Sequence, residues 1–60
     1  MKTVDFNNFF QLSKEEQQQL FDLARQIPAN QPNKFYDEAE KLGFHLTLNA
    51  YTCVYEIVNS

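Results

Sequence analysis

The segment from Phe44 to Val58, FHLTLNAYTCVYEIV, contains a single Asp, Glu, Lys or Arg residue, Glu56, in fifteen positions. All five Lys and Arg residues precede it. In a chain of 60 residues this segment must provide much of the hydrophobic core. Apolar side chains that the core leaves exposed would form a surface at which a partner binds.

The length predicts one small domain, residues 1–60, that buries only about 60% of the surface its unfolded chain exposes. Its stability is expected to be marginal. A disulfide cannot reinforce it, because the chain has one Cys, and one His cannot form the spaced ligand set of a zinc site. Two ways to stability remain: a dense core built from six Phe and three Tyr residues, or burial against a second chain.

The clearest helix start lies at Ser13. Its hydroxyl can accept a hydrogen bond from the backbone of Glu16, whose carboxylate reaches back to Ser13, which is a capping box. Apolar residues at helical spacing follow, and Pro28 ends them. The pattern predicts a helix over about 13–27.

A shorter helix is predicted over about 4–11, with Thr3 or Asp5 as its cap. Phe9 and Phe10 are adjacent, so one helix cannot easily bury both. One of these two rings is therefore a candidate for exposure.

A further helix is predicted over about 34–42, capped by Asn30 or Asn33. Gly43, the only glycine, ends it and suits the left-handed conformation that follows many helices.

In the last third of the chain, the spacing of apolar residues fits both a strand and a helix. Read as strands, 44–48 and 51–58 form a β-hairpin; read as a helix capped by Thr47, 48–58 places its polar residues on one side. The abundance of Tyr, Thr, Val and Ile favours the hairpin. The predicted fold is therefore α+β, with two to three N-terminal helices packed on a C-terminal hairpin, and an all-α bundle with a C-terminal helix is the alternative.

Residues suited to catalysis are scarce. His45 and Cys53 are the only candidates for a base and a nucleophile, and a surface His and a core Cys is the simpler interpretation. Carboxylates fall on predicted solvent faces of helices, at Glu15, Glu16, Asp37, Glu38 and Glu40. A single glycine cannot build a phosphate-binding loop. We expect no enzymatic activity, no cofactor and no metal.

Charge and hydropathy argue against nucleic acid and membranes as partners. A formal net charge of −3 opposes binding to nucleic acid, and in the predicted helix–turn–helix region only Lys34 and Tyr36 are plausible contacts. No apolar run of eighteen residues is present, and the start MKTVDFNNFF does not resemble a signal peptide. The chain is expected to be soluble and cytoplasmic, without membrane or nucleic-acid partners.

These exclusions favour a non-enzymatic, acidic module that binds another protein. Tyr side chains are enriched at interfaces, and acidic side chains suit a basic partner. The predicted protein-binding residues are Tyr36, Asp37, Glu40, Tyr51 and Tyr55. By analogy, such proportions are usual for phage- or plasmid-type inhibitors of host machinery, including anti-CRISPR proteins. The alternative is a structural homo-oligomer, such as a homodimer, whose core is completed across a symmetric interface.

One short stretch resembles a known family. Residues 39–47, AEKLGFHLT, follow an aromatic-rich first helix and resemble the A-x-x-x-G-F-x-F/L-T stretch of Nif11-type domains. These are all-helical leader segments of some bacterial peptide natural products. The resemblance covers nine residues and implies a helical C-terminal segment and a modifying enzyme as partner.

Overall fold

A computed structural model describes residues 1–59, which form two short strands and four helices, three of them between the strands. The elements are β1 (Lys2–Val4), α1 (Phe6–Phe9), α2 (Lys14–Gln26), α3 (Pro32–Lys41), β2 (Phe44–Leu46) and α4 (Leu48–Asn59). The fold is a mixed α+β arrangement, as predicted. In this described part of the chain, no helix has the length and apolarity needed to cross a membrane.

The two strands form a parallel sheet rather than a hairpin. Thr3 of β1 is opposite His45 of β2, and helices α1, α2 and α3 make the crossover that parallel strands require. Val4 and the two ends of β2 are buried, whereas Thr3 and His45 face outward. The predicted helix over 4–11 is shorter than expected, because Val4 belongs to β1, Asp5 is the N-cap and Phe10 is already the C-cap.

The predicted second strand, 51–58, was wrong, because this segment is the helix α4. Ala50, Cys53 and Val54 share one buried face at helical spacing, so packing outweighs the β-propensity of the composition. Thr47 caps the helix, with its Oγ1 accepting from the Ala50 amide at 3.4 Å. The same hydroxyl donates to the Val4 carbonyl at 3.2 Å and so connects α4 to β1.

Local capping signals position α1 and α2 as predicted. The Asp5 and Asn8 side chains form a capping box at α1, and Ser13 and Glu16 form another at α2. Asn8 also donates from Nδ2 to the Thr3 carbonyl at 3.1 Å, on the edge of β1 that does not face β2. That bond occupies an edge acceptor to which another strand could otherwise pair.

The third helix begins earlier than predicted. Gln31 is its N-cap, with no side-chain hydrogen bond to the helix, and Pro32 occupies the first turn. Neither Asn30 nor Asn33 is the cap, because the fixed φ of proline already suits the first helical position. Gly43 has φ +96°, and its amide donates to the Glu40 carbonyl, which confirms the predicted helix stop.

The core lies between the inner face of the sheet and helices α2, α3 and α4. It consists of Val4, Phe9, Leu20, Ala24, Ile27, Phe35, Ala39, Phe44, Leu46, Ala50, Cys53, Val54 and Tyr55. The last strand and helix contribute the final six of these residues, in agreement with the low charge of that segment.

Candidate protein-interaction surface

The three tyrosines predicted to bind a partner lie together, in a cluster with Phe35. Ring centroids are 5.3 Å apart for Tyr36 and Tyr51, and 4.8 Å apart for Tyr51 and Tyr55. Phe35 packs edge-on against Tyr55 with centroids 5.2 Å apart. This cluster joins α3 to α4.

Two of the tyrosines are used inside the molecule. The Tyr55 hydroxyl donates to the Ile27 carbonyl at 2.6 Å, and the Tyr51 hydroxyl donates to the Ala29 carbonyl at 2.8 Å. Tyr55 is buried, and burial, followed by the neighbouring Tyr51, raises the pKa of its phenol. Both side chains therefore hold the segment that connects α2 to α3.

The remaining predicted residues lie on α3. Asp37 and Glu40 are exposed, and Tyr36 is half-buried. The Glu40 carboxylate lies 3.6 Å from Nδ1 of His45, across the turn at Gly43. A binding role for this part of α3 stays a prediction.

A second surface presents large apolar side chains to solvent. Phe6, Phe10 and Leu48, which we call the apolar patch, are 54%, 58% and 69% exposed. The rings of Phe6 and Phe10 are perpendicular, with centroids 6.2 Å apart. Phe10 is the exposed member of the adjacent pair, because Phe9 is fully buried.

The patch continues into an open groove of about 500 Å³ between the start of α1 and one face of α4. We call it the α1–α4 groove. Its lining residues are Asp5, Phe6, Asn7, Leu48, Asn49, Thr52, Cys53 and Glu56. Phe6 and Leu48 therefore belong to both the patch and the groove.

Only acidic residues contribute formal charge to the groove. Asp5 and Glu56 line it, and Lys and Arg are not among its lining residues. The chain has five Lys and Arg residues, three of which have acidic partners elsewhere in residues 1–59: Lys2 with Glu16, Arg25 with Asp22, and Lys41 with Glu38. The groove is thus negatively charged, and none of its lining residues is Lys or Arg.

Cys53 lines the groove but is poorly suited to nucleophilic chemistry. Its side chain is 7% exposed, and burial together with the nearby Glu56 raises the pKa of the thiol. The thiol is therefore protonated at neutral pH. His45, as predicted, is on the surface, and residues 1–59 contain no group of three His, Cys, Asp or Glu side chains arranged to hold a metal.

Sequence reasoning found one part of this surface and missed another. The adjacency of Phe9 and Phe10 indicated that one ring would be exposed. Leu48 was predicted to end the strand 44–48, whereas it is the first residue of α4 and is 69% exposed. The groove depends on α1 meeting α4, which no local pattern encodes.

Comparison with known proteins adds no assignment. No protein-family model, curated protein or solved structure matches the chain. The helical C-terminal segment agrees with what the resemblance to Nif11-type domains implied, but the parallel sheet of β1 and β2 departs from an all-helical fold.

Proposed function

We propose that this chain is a non-enzymatic module that binds another protein, with the apolar patch at the centre of the interface. The observation that carries the proposal is that three exposed apolar side chains are connected: the Phe10 ring lies against that of Phe6, and Phe6 lines the same groove as Leu48. A phage- or plasmid-type inhibitor of host machinery would be one member of this class.

The size of the molecule supports a single dominant interface. A standard protein interface covers about 800 Å² on each partner. The accessible surface of the described residues is 3986 Å². One such interface would take about a fifth of it.

A partner of different sequence is favoured over a second copy. A two-fold interface centred on the groove would bring Asp5 and Glu56 close to the same two carboxylates of the other copy. Like charges at an interface oppose association. We therefore expect the purified chain to sediment as a monomer, and a stable dimer at micromolar concentration would favour the homo-oligomer instead.

Surface variants test the proposal in a pull-down from a bacterial lysate. Phe10→Ser removes an exposed ring and replaces no buried residue, so it should abolish recovery of a protein that the unaltered chain captures. Leu42→Ser is the matched control, because Leu42 is also an exposed apolar residue (45% exposed) but lies outside the patch, and this variant should retain that protein. Equal recovery by the unaltered chain and Phe10→Ser would refute the role of the patch.

A further inference from the structure

The α1–α4 groove combines two recognition elements at a fixed separation. Leu48, Thr52 and Glu56 are four residues apart on α4, so they form one ridge along the groove. At 1.5 Å per residue, Leu48 and Glu56 are separated by about 12 Å along the helix axis. An apolar contact and an anion therefore lie at opposite ends of this ridge.

We propose that the groove binds a segment of the partner protein in which an apolar side chain contacts Phe6 and Leu48 while a Lys or Arg side chain pairs with Glu56. This assignment rests on the proposed protein-binding function and adds the chemistry of the partner. The two groups must be about 12 Å apart, which corresponds to about eight residues of a helix or four of a strand.

Charge decides this choice of occupant. Glu56 is exposed and close enough to Cys53 to affect its thiol, and the groove offers Glu56 no Lys or Arg. Asp5 differs, because its Oδ1 already accepts the Asn8 amide as a helix cap. An incoming cation would thus meet a carboxylate at one end of the ridge, whereas a nucleic-acid phosphate or an anionic lipid would be repelled.

The apolar contact is equally specific in position. Phe6 and Leu48 come from different helices and line the same groove, with more than half of each side chain exposed. An apolar side chain seated between them would remove apolar surface of both from water, which favours binding. The cation then fixes which way the segment runs along α4.

The test uses the full chain labelled with ¹⁵N and two synthetic peptides. The first peptide is helical and presents Leu and Lys eight residues apart; the second has Glu in place of that Lys. We expect the Lys peptide to shift the amide resonances of Phe6, Leu48, Thr52 and Glu56, and the Glu peptide to leave them unchanged. Raising the salt concentration should weaken the Lys complex.

Matched variants separate the charge from the apolar contact. Glu56→Gln should weaken binding of the Lys peptide by about fivefold, which is the upper range for one partly exposed ion pair. Glu15→Gln makes the same change of charge on the exposed start of α2 and should leave binding unchanged. Equal effects of the two variants, or equal binding of the two peptides, would overturn the assignment.

Other outcomes distinguish this inference from the proposed function. If Leu48→Ser abolishes binding while Glu56→Gln has no effect, the patch is a docking surface but the cationic partner is wrong. If neither peptide shifts any resonance at millimolar concentration, the inference is overturned, and the Phe10→Ser pull-down judges the proposed function on its own. Binding of a DNA or RNA duplex at this groove would contradict both.

Discussion

The Tyr55 hydroxyl donates a 2.6 Å hydrogen bond to the backbone carbonyl of Ile27 and so connects α4 to the end of α2. Ile27 caps α2 in an extended conformation and precedes Pro28. Carbonyls at a helix end have no partner within the helix. This tyrosine satisfies one of them in the buried part of the molecule, so a residue that resembles an interface anchor in the sequence has a structural role.

Replacement of Tyr55 by Phe should lower the free energy of unfolding by about 1–3 kcal/mol, because the Ile27 carbonyl would stay buried without its donor. Tyr51→Phe is the control: its bond to Ala29 is exposed, and water can replace the hydroxyl. Urea denaturation followed by circular dichroism measures both. Equal losses of unfolding free energy in the two variants would show that the buried hydrogen bond stabilises the fold no more than the exposed one.

Stability should fall at alkaline pH. Burial raises the pKa of Tyr36, Tyr55 and the Cys53 thiol above their ordinary values. The folded state therefore holds these protons more tightly than the unfolded state does. The stabilisation that these protonated groups provide is complete at pH values below their ordinary pKa values. It is lost as pH rises through their pKa values in the folded state.

Urea midpoints measured from pH 7 to about pH 11.5 check this expectation, with the decline beginning near the ordinary thiol and phenol values of about 8.5 to 10. Tyr55→Phe should make the decline shallower, since it removes one titrating group. A midpoint that rises over this range would contradict the burial of these groups.

Glu16 reports whether β1 is docked on α2. Lys2 Nζ lies 3.0 Å from the Glu16 carboxylate, and this bond, with the Ser13 amide, lowers the pKa of Glu16. Ionised Glu16 therefore stabilises the fold at pH values above its pKa in the unfolded chain. This stabilisation is lost as pH falls through the pKa of Glu16 in the folded chain. In an NMR titration, Lys2→Met should raise the Glu16 pKa, whereas the control Lys34→Met should leave it unchanged.

Gly43→Ala should destabilise the fold by about 1–2 kcal/mol, the cost of a left-handed backbone for a residue with a Cβ. The added Cβ would meet no atom within 4 Å, so the cost comes from the backbone at φ +96° and not from a clash. Gly43→Asn should cost less, because Asn tolerates this region better. Thermal unfolding compares the two variants with the unaltered chain. If Gly43→Ala is as stable as the unaltered chain, position 43 does not require a left-handed backbone.

Local signals in the sequence were sufficient for part of this fold. Ser13 with Glu16, Asp5 as a cap and Gly43 as a stop each act within a few residues, so their effects can be predicted without tertiary structure. The strand Lys2–Val4 could not be predicted in this way, because three residues are too few for a period and its partner strand begins at Phe44.

The candidate surface was predictable only where it is local. Exposure of one of Phe9 and Phe10 follows from their adjacency. The internal bonds of Tyr51 and Tyr55 span 22 and 28 residues, so no sequence pattern reveals that these hydroxyls are occupied. The exposure of Leu48 depends on whether its segment is a strand or a helix, which propensity alone decided wrongly.

Site-specific photo-cross-linking tests the central claim, binding of another protein through the apolar patch, most directly. Benzoylphenylalanine is placed at Phe10 in one sample and at the exposed Leu42, outside the patch, in a second, and each is irradiated in a bacterial lysate. We predict one protein adduct from position 10, suppressed by excess unlabelled chain, and none from position 42. An adduct from position 42 alone, or no adduct from position 10, would contradict this claim.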